Sequence, residues 1–129
     1  MKRDMDLVRK ILLAIEAHPP TLGPLKIQID GYPKEIVDYH LTLMKDAGLI
    51  EGINPGSKSG LGDIYAMTIP MRMTWQGCEF LDASRDENRW NKAKEIVKEM
   101  GSSVSFDVLK SLLVQIMMAQ IPRLVASGV

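Results

Sequence analysis

Residues 33–50 read PKEIVDYHLTLMKDAGLI, and this stretch decides the fold. Pro33 suits the first turn of a helix, where its missing N–H is no loss. Val37, Leu41 and Met44 recur at helical spacing and form an inward stripe, extended by His40 and Ala47. Gly48 supplies the stop, because a left-handed residue at a helix C-terminus is least costly as glycine. Leu49 and Ile50 then open an extended run to Ile53. The chain reads as helix, tight stop and strand.

Working outward, 49–53 and 63–69 predict paired strands joined by the loop Asn54–Gly62, which is rich in turn residues. Pro70 is expected to end the regular pairing of the second strand. Thr74 then caps a helix that carries Trp75, Phe80 and Leu81 in MTWQGCEFLD (73–82). Upstream, Asp4 or Asp6 starts a first helix with Met5, Val8, Ile11, Leu12 and Ile15 inward and Arg9, Lys10 and Glu16 outward. His18-Pro19-Pro20 closes it. Leu25, Ile27 and Ile29 alternate with Lys26 and Gln28, which predicts a short half-buried strand. Downstream, a helix over about 88–100 carries Trp90, Ala93, Ile96, Val97 and Met100. Ser105 caps a last helix with Val104 and Leu109 placed as a hydrophobic staple.

The predicted fold class is α+β, mostly α. It is a winged-helix-like domain of helix, strand, recognition-type helix and two-stranded wing, with two additional C-terminal helices. One domain is expected over 1–129, with its core at about 4–85, a helical extension at about 86–121 and a flexible tail at 122–129. Order and spacing carry this reading. VDYHLTLMKDAGLI is similar to the recognition-helix segment of bacterial winged-helix regulators, and MTWQGCEFL resembles the step that follows their wing. MKRDMDLVRKILLAIE, GYPKEIVDYHLTLMKDAGLIEG, MTWQGCEFLDASRDENRWNKAKE and SVSFDVLKSLL together resemble an uncharacterised bacterial and phage-associated family of unknown function. That resemblance implies a winged-helix-like core and a phage or prophage origin, and it implies no activity.

Composition narrows the function classes. Sixteen basic side chains balance sixteen acidic ones, so bulk charge gives no attraction to phosphate. Apolar residues make up 46% and charged residues 25%, an ordinary soluble balance. Cys78 is the only cysteine, which leaves no intramolecular disulfide or multi-thiolate metal site. The charged N-terminus lacks a signal-peptide pattern. The apolar run from Leu112 to Ile121 is broken by Gln115 and Gln120 and is too short to span a bilayer. A cytoplasmic protein is expected.

No catalytic set emerges. His18 lies beside two prolines, and His40 has no ligand or carboxylate at metal spacing along the inward face. It reads as a half-buried helix residue. Cys78 near a helix start reads as packing, since no base accompanies it. Gly60-Leu61-Gly62 lacks the rest of a phosphate loop. The expectation is no enzyme, no metal and no cofactor.

The outward residues of the recognition-type helix and wing are the nucleic-acid candidates: Lys34, Tyr39, Thr42, Lys45 and Lys58. Lysines meet phosphate, and Thr and Tyr bond backbone or base edges. Glu35, Asp38 and Asp46 share that surface and oppose phosphate. Lys2, Arg3, Arg9 and Lys10 form a second basic cluster, diluted by Asp4 and Asp6. A standard helix-turn-helix also needs a bracing helix between the first helix and the recognition helix, and 18–32 is instead Pro-rich and strand-like. Arg85, Asp86, Glu87, Arg89 and Lys92 surround Trp90, which reads as a core anchor or, if exposed, a partner surface. From Leu112 to Met118 the last helix is apolar on more than one face, and Leu112, Leu113, Ile116 and Met117 are the expected homodimer contacts. Two functions follow: a DNA-associated transcriptional or accessory regulator binding duplex DNA, or a non-catalytic protein-interaction module that keeps the shape without binding DNA.

Overall fold

The structure, a computed structural model, describes residues 2–19, 23–54, 67–101 and 105–128. Its contacts divide the chain into two compact units, Met1–Glu79 and Phe80–Val129. The division falls inside a helix, upstream of the core boundary that the sequence suggests near residue 85.

The first unit begins with α1 (Met5–Ala17), capped by Asp4, whose side chain accepts the Leu7 N–H. Leu7, Val8, Ile11, Leu12 and Ile15 are buried. Arg9, expected to point outward, is buried too. An arginine's aliphatic stem can cover apolar surface in this way. α2 (Lys34–Asp46) buries Val37, His40, Leu41 and Met44. Ala47 serves as the C-cap and is exposed, a correction to its inward assignment.

The stop at Gly48 has a definite form. Gly48 takes φ 77°, its N–H bonds the Lys45 carbonyl and the Leu49 N–H bonds the Met44 carbonyl. This 6→1 and 5→2 pair is a Schellman motif, and buried Leu49 and Met44 stand where its apolar contact belongs.

β1 (Ile50–Ile53) pairs antiparallel with β2 (Ile69–Met73). The second strand therefore lies later than expected, and Pro70 sits within it instead of ending it. Glu51 faces Arg72 while Gly52 faces Pro70, so Met71 is the extra residue of a bulge. A bulge disrupts the ladder locally, which accommodates a residue that cannot donate. Residues 63–66 and the loop tip with Lys58 lie outside the described residues.

The expected strand at Leu25–Ile29 does not join the sheet. Its burial does alternate, but only the Leu25 N–H reaches β2, at the Pro70 carbonyl (2.8 Å). Among the described residues of 18–32 there is no helix, so the bracing element is absent there.

α3 (Trp75–Ser84) leads into the second unit. There Phe80 packs edge-on to Trp90 at 6.3 Å and lies 4.8 Å from Phe106. α4 (Glu87–Met100) is capped by Asp86, which accepts the Arg89 N–H, and buries Trp90 and Ala93. α5 (Phe106–Gly128) begins at Ser105, whose hydroxyl accepts the Val108 N–H. Val104, its expected staple partner, lies outside the described residues. Leu109 and Leu113 are its buried residues.

α5 remains helical through Pro122 to Gly128, where the sequence suggests a flexible tail. The segment Phe106–Ala126 is long and apolar enough to cross a membrane by length and composition, and little of it is buried. The run from Leu112 to Ile121 understates this length, because apolar residues continue on both sides of the glutamines.

Candidate functional site

The α2 surface carries four of the five nucleic-acid candidates. Lys34 Nζ is 2.7 Å from Asp38 Oδ2, and both side chains keep solvent access. That bond and the Asp38 charge raise the Lys34 pKa. Its positive charge is thus locally balanced one helical turn away. The Thr42 hydroxyl lies 3.3 Å from the Asp38 carbonyl and 3.2 Å from Thr68 Oγ1. Thr68 is itself fully buried and donates to Asn54 Oδ1 at 2.8 Å. Thr42 therefore belongs to an inward polar network. Tyr39 is exposed and meets the His40 ring edge-on at 5.6 Å. Lys45 is half-buried, while Glu35 and Asp46 are exposed. Lys58 lies outside the described residues.

Beside this surface is a groove of about 440 Å³, bordered by Leu25–Tyr32 and Met67–Pro70 with Val37 and Leu41 of α2 on its wall. Lys34 and Asp38 stand at its edge. The extended segment 25–32 thus forms one side of a groove whose other side is α2.

The second basic cluster is dispersed. Lys2, Arg3 and Lys10 are exposed, Arg9 is buried, and Lys10 Nζ sits 5.4 Å from the centroid of the Tyr32 ring.

His40 is fully buried, a correction to its half-buried assignment. Its Nε2 accepts the Asp4 N–H at 2.8 Å, and its Nδ1 donates to the Ile36 carbonyl at 2.8 Å. Those partners require the neutral Nδ1–H tautomer. The ring ties the start of α1 to α2 across 36 residues of sequence. Among the described residues no three His, Cys, Asp or Glu side chains gather to hold a metal.

Cys78 is exposed, against the packing assignment. Trp75, placed with the apolar residues of its helix, is 76% exposed, with its indole N–H on Glu79 Oε1 at 2.7 Å. Trp90, by contrast, is 1% exposed, which settles it as a core anchor and removes it as a partner surface. Periodicity alone does not separate these two tryptophans. The nearby Thr74 cap does carry a signal, because a side chain on the first helical residue often projects beyond the core.

On α5, Leu113 is 0% exposed and cannot meet a second chain, while Leu112, Ile116 and Met117 are half-buried. Leu112 and Ile116 border a groove of about 390 Å³ along α4 with Ile96 and Lys92. The bare apolar residues are Val108, Val114, Met118, Ile121, Leu124 and Val125. They lie largely on the side opposite Leu109 and Leu113.

The family model described as hypothetical protein DUF2513 matches residues 2–103. The chain belongs to the DUF2513 family. The match takes in α1 through α4 and both strands of this DUF2513 fold. The chain is also similar to an uncharacterized protein of Haemophilus influenzae, 36% identical over 113 residues, covering 87% of this chain and 92% of the relative. No solved structure matches the chain significantly.

Proposed function

We propose that this DUF2513 chain is a small non-catalytic interaction module, of phage or prophage type and working in the cytoplasm, that has a winged-helix shape without reading DNA. The state of the outward α2 surface carries this reading. Lys34 is matched by Asp38, Thr42 is turned onto Thr68, and Glu35 and Asp46 are exposed where phosphates would lie. Phosphate contacts supply most non-specific DNA affinity, and a surface with three acids, Glu35, Asp38 and Asp46, to two lysines, Lys34 and Lys45, supplies little. Trp75 adds support, since an exposed tryptophan is a common anchor at protein interfaces.

The second reading, a DNA-associated regulator, draws on Lys34. Its pair with Asp38 is exposed, so it is worth little and a phosphate can replace it. Titration of fluorescent duplex DNA at low salt, read by anisotropy, separates the two. The interaction module gives no salt-dependent binding, and Lys34→Ala with Lys45→Ala changes nothing. Binding that falls steeply with salt and is lost in that double variant establishes the DNA reading instead.

A further inference from the structure

We infer that two copies of this chain pair through α5 as an antiparallel two-helix contact centred between Met118 and Ile121. This rests on the reading of the chain as an interaction module and names the partner. Val114, Met118, Ile121 and Val125 are 42%, 60%, 48% and 61% exposed. Their spacings of four, three and four residues form the seam by which one helix packs along another. They lie across the helix from Leu109 and Leu113, which the chain buries itself.

The overhang of α5 points the same way. Arg89, in the first turn of α4, bonds Gln120 at 3.2 Å, so the start of α4 lies level with that residue. α4 has 14 residues and α5 has 23, so α5 is about 13 Å the longer at 1.5 Å per residue. Residues 121–126, beyond Gln120, are exposed, including Ile121, Leu124 and Val125. A solvated helix is ordinarily polar on the side away from its core. This one presents a second apolar stripe.

The seam is self-complementary in one direction. In an antiparallel pair Val114 meets the partner's Val125 and Met118 meets the partner's Ile121. Asp107, the next seam position but one before Val114, is set apart from its own counterpart in this register. A parallel pair would set Asp107 against Asp107 and Ser111 against Ser111. The four seam side chains, with Leu124 flanking them, can bury at most roughly 500 Å² per chain and roughly 1,000 Å² per pair, at the lower bound of a specific interface.

A bilayer is the other occupant that an apolar helix of this length suggests. It fits less well, because the opposite side of α5 packs on α4, whose exposed or half-buried Lys92, Lys94, Glu95, Lys98 and Glu99 would be drawn toward hydrocarbon.

Sedimentation equilibrium of the full chain tests the pairing, with Met118→Lys/Ile121→Lys and Val114→Lys/Val125→Lys as exposed-site variants, each of which sets lysine against lysine in this register. A dimer is expected for the wild type, and association at least ~100-fold weaker for both variants, with helix content retained by circular dichroism. Orientation is read on a Cys78→Ser background. Val114→Cys/Val125→Cys should cross-link into dimers under oxidation, while Val114→Cys alone should not. A monomeric wild type, dimers that persist in both variants, cross-linking by Val114→Cys alone, or flotation with phosphatidylglycerol vesicles in place of pairing overturns the inference. If both double-lysine variants unfold, the cysteine pair decides. A monomer that also ignores duplex DNA sinks the seam and leaves the non-DNA reading standing. Duplex binding sinks that reading whatever the oligomeric state.

Discussion

His40 is a structural tie. It gives the Asp4 N–H an acceptor at the start of α1 and holds α2 through the Ile36 carbonyl. His40→Leu keeps apolar bulk but strands the Asp4 amide, so it should cost about 1–3 kcal/mol in chemical denaturation. An unchanged midpoint would show that the tie contributes nothing. The sequence places His40 on the inward stripe, but its partner lies 36 residues earlier, beyond any local pattern. Tyr32 meets the same Asp4, its hydroxyl 3.3 Å from Oδ2. Burial first, then the Asp4 charge and this bond, raise the phenol pKa above its ordinary 10.0. A raised pKa means that the linked stability is full below pH 10.0 and is lost as pH rises through the folded value. Stability should therefore decline in that alkaline range, and Tyr32→Phe should flatten the decline. A decline of equal steepness in Tyr32→Phe would assign it to other groups.

At the scale of elements, the turn from β2 into α3 explains the Thr-x-x-Gly pattern of 74–77. The Thr74 hydroxyl donates to the Gly48 carbonyl and accepts the Gly77 N–H, while the Thr74 N–H bonds the Leu49 carbonyl. A Cβ on Gly77 would overlap the Leu49 carbonyl oxygen and the Met73 side chain. Gly77→Ala should thus destabilise the fold by at least about 2 kcal/mol, because backbone must shift to admit the methyl. Thermal melting within about 0.5 kcal/mol of wild type would contradict the close approach. Helices, caps and the Gly48 stop are legible in the sequence because each depends on neighbours within a turn. The strands are less so. Leu25–Ile29 alternates like a strand, yet whether it joins a ladder depends on β2, and β2 carries a bulge that admits Pro70.

At the scale of the whole molecule, two long-range facts redirect the functional reading. The α2 stripe that fixes the fold is legible, but the commitment of its outer polar groups to Asp38 and Thr68 is not, since Thr68 lies 26 residues from Thr42. The excess of apolar residues on α5 is equally plain in sequence, whereas the choice of face belongs to α4. That choice moves the expected contacts from Leu112, Leu113, Ile116 and Met117 to Val114, Met118, Ile121 and Val125. We propose α5, and not α2, as the surface this chain offers. Amide hydrogen exchange followed by mass spectrometry tests it in one measurement, with protein concentration raised in one arm and duplex DNA added in the other. Slower exchange across 111–125 on concentration, with 34–46 unmoved by DNA, is the predicted result. Protection of 34–46 by duplex DNA with 111–125 indifferent to concentration would contradict it.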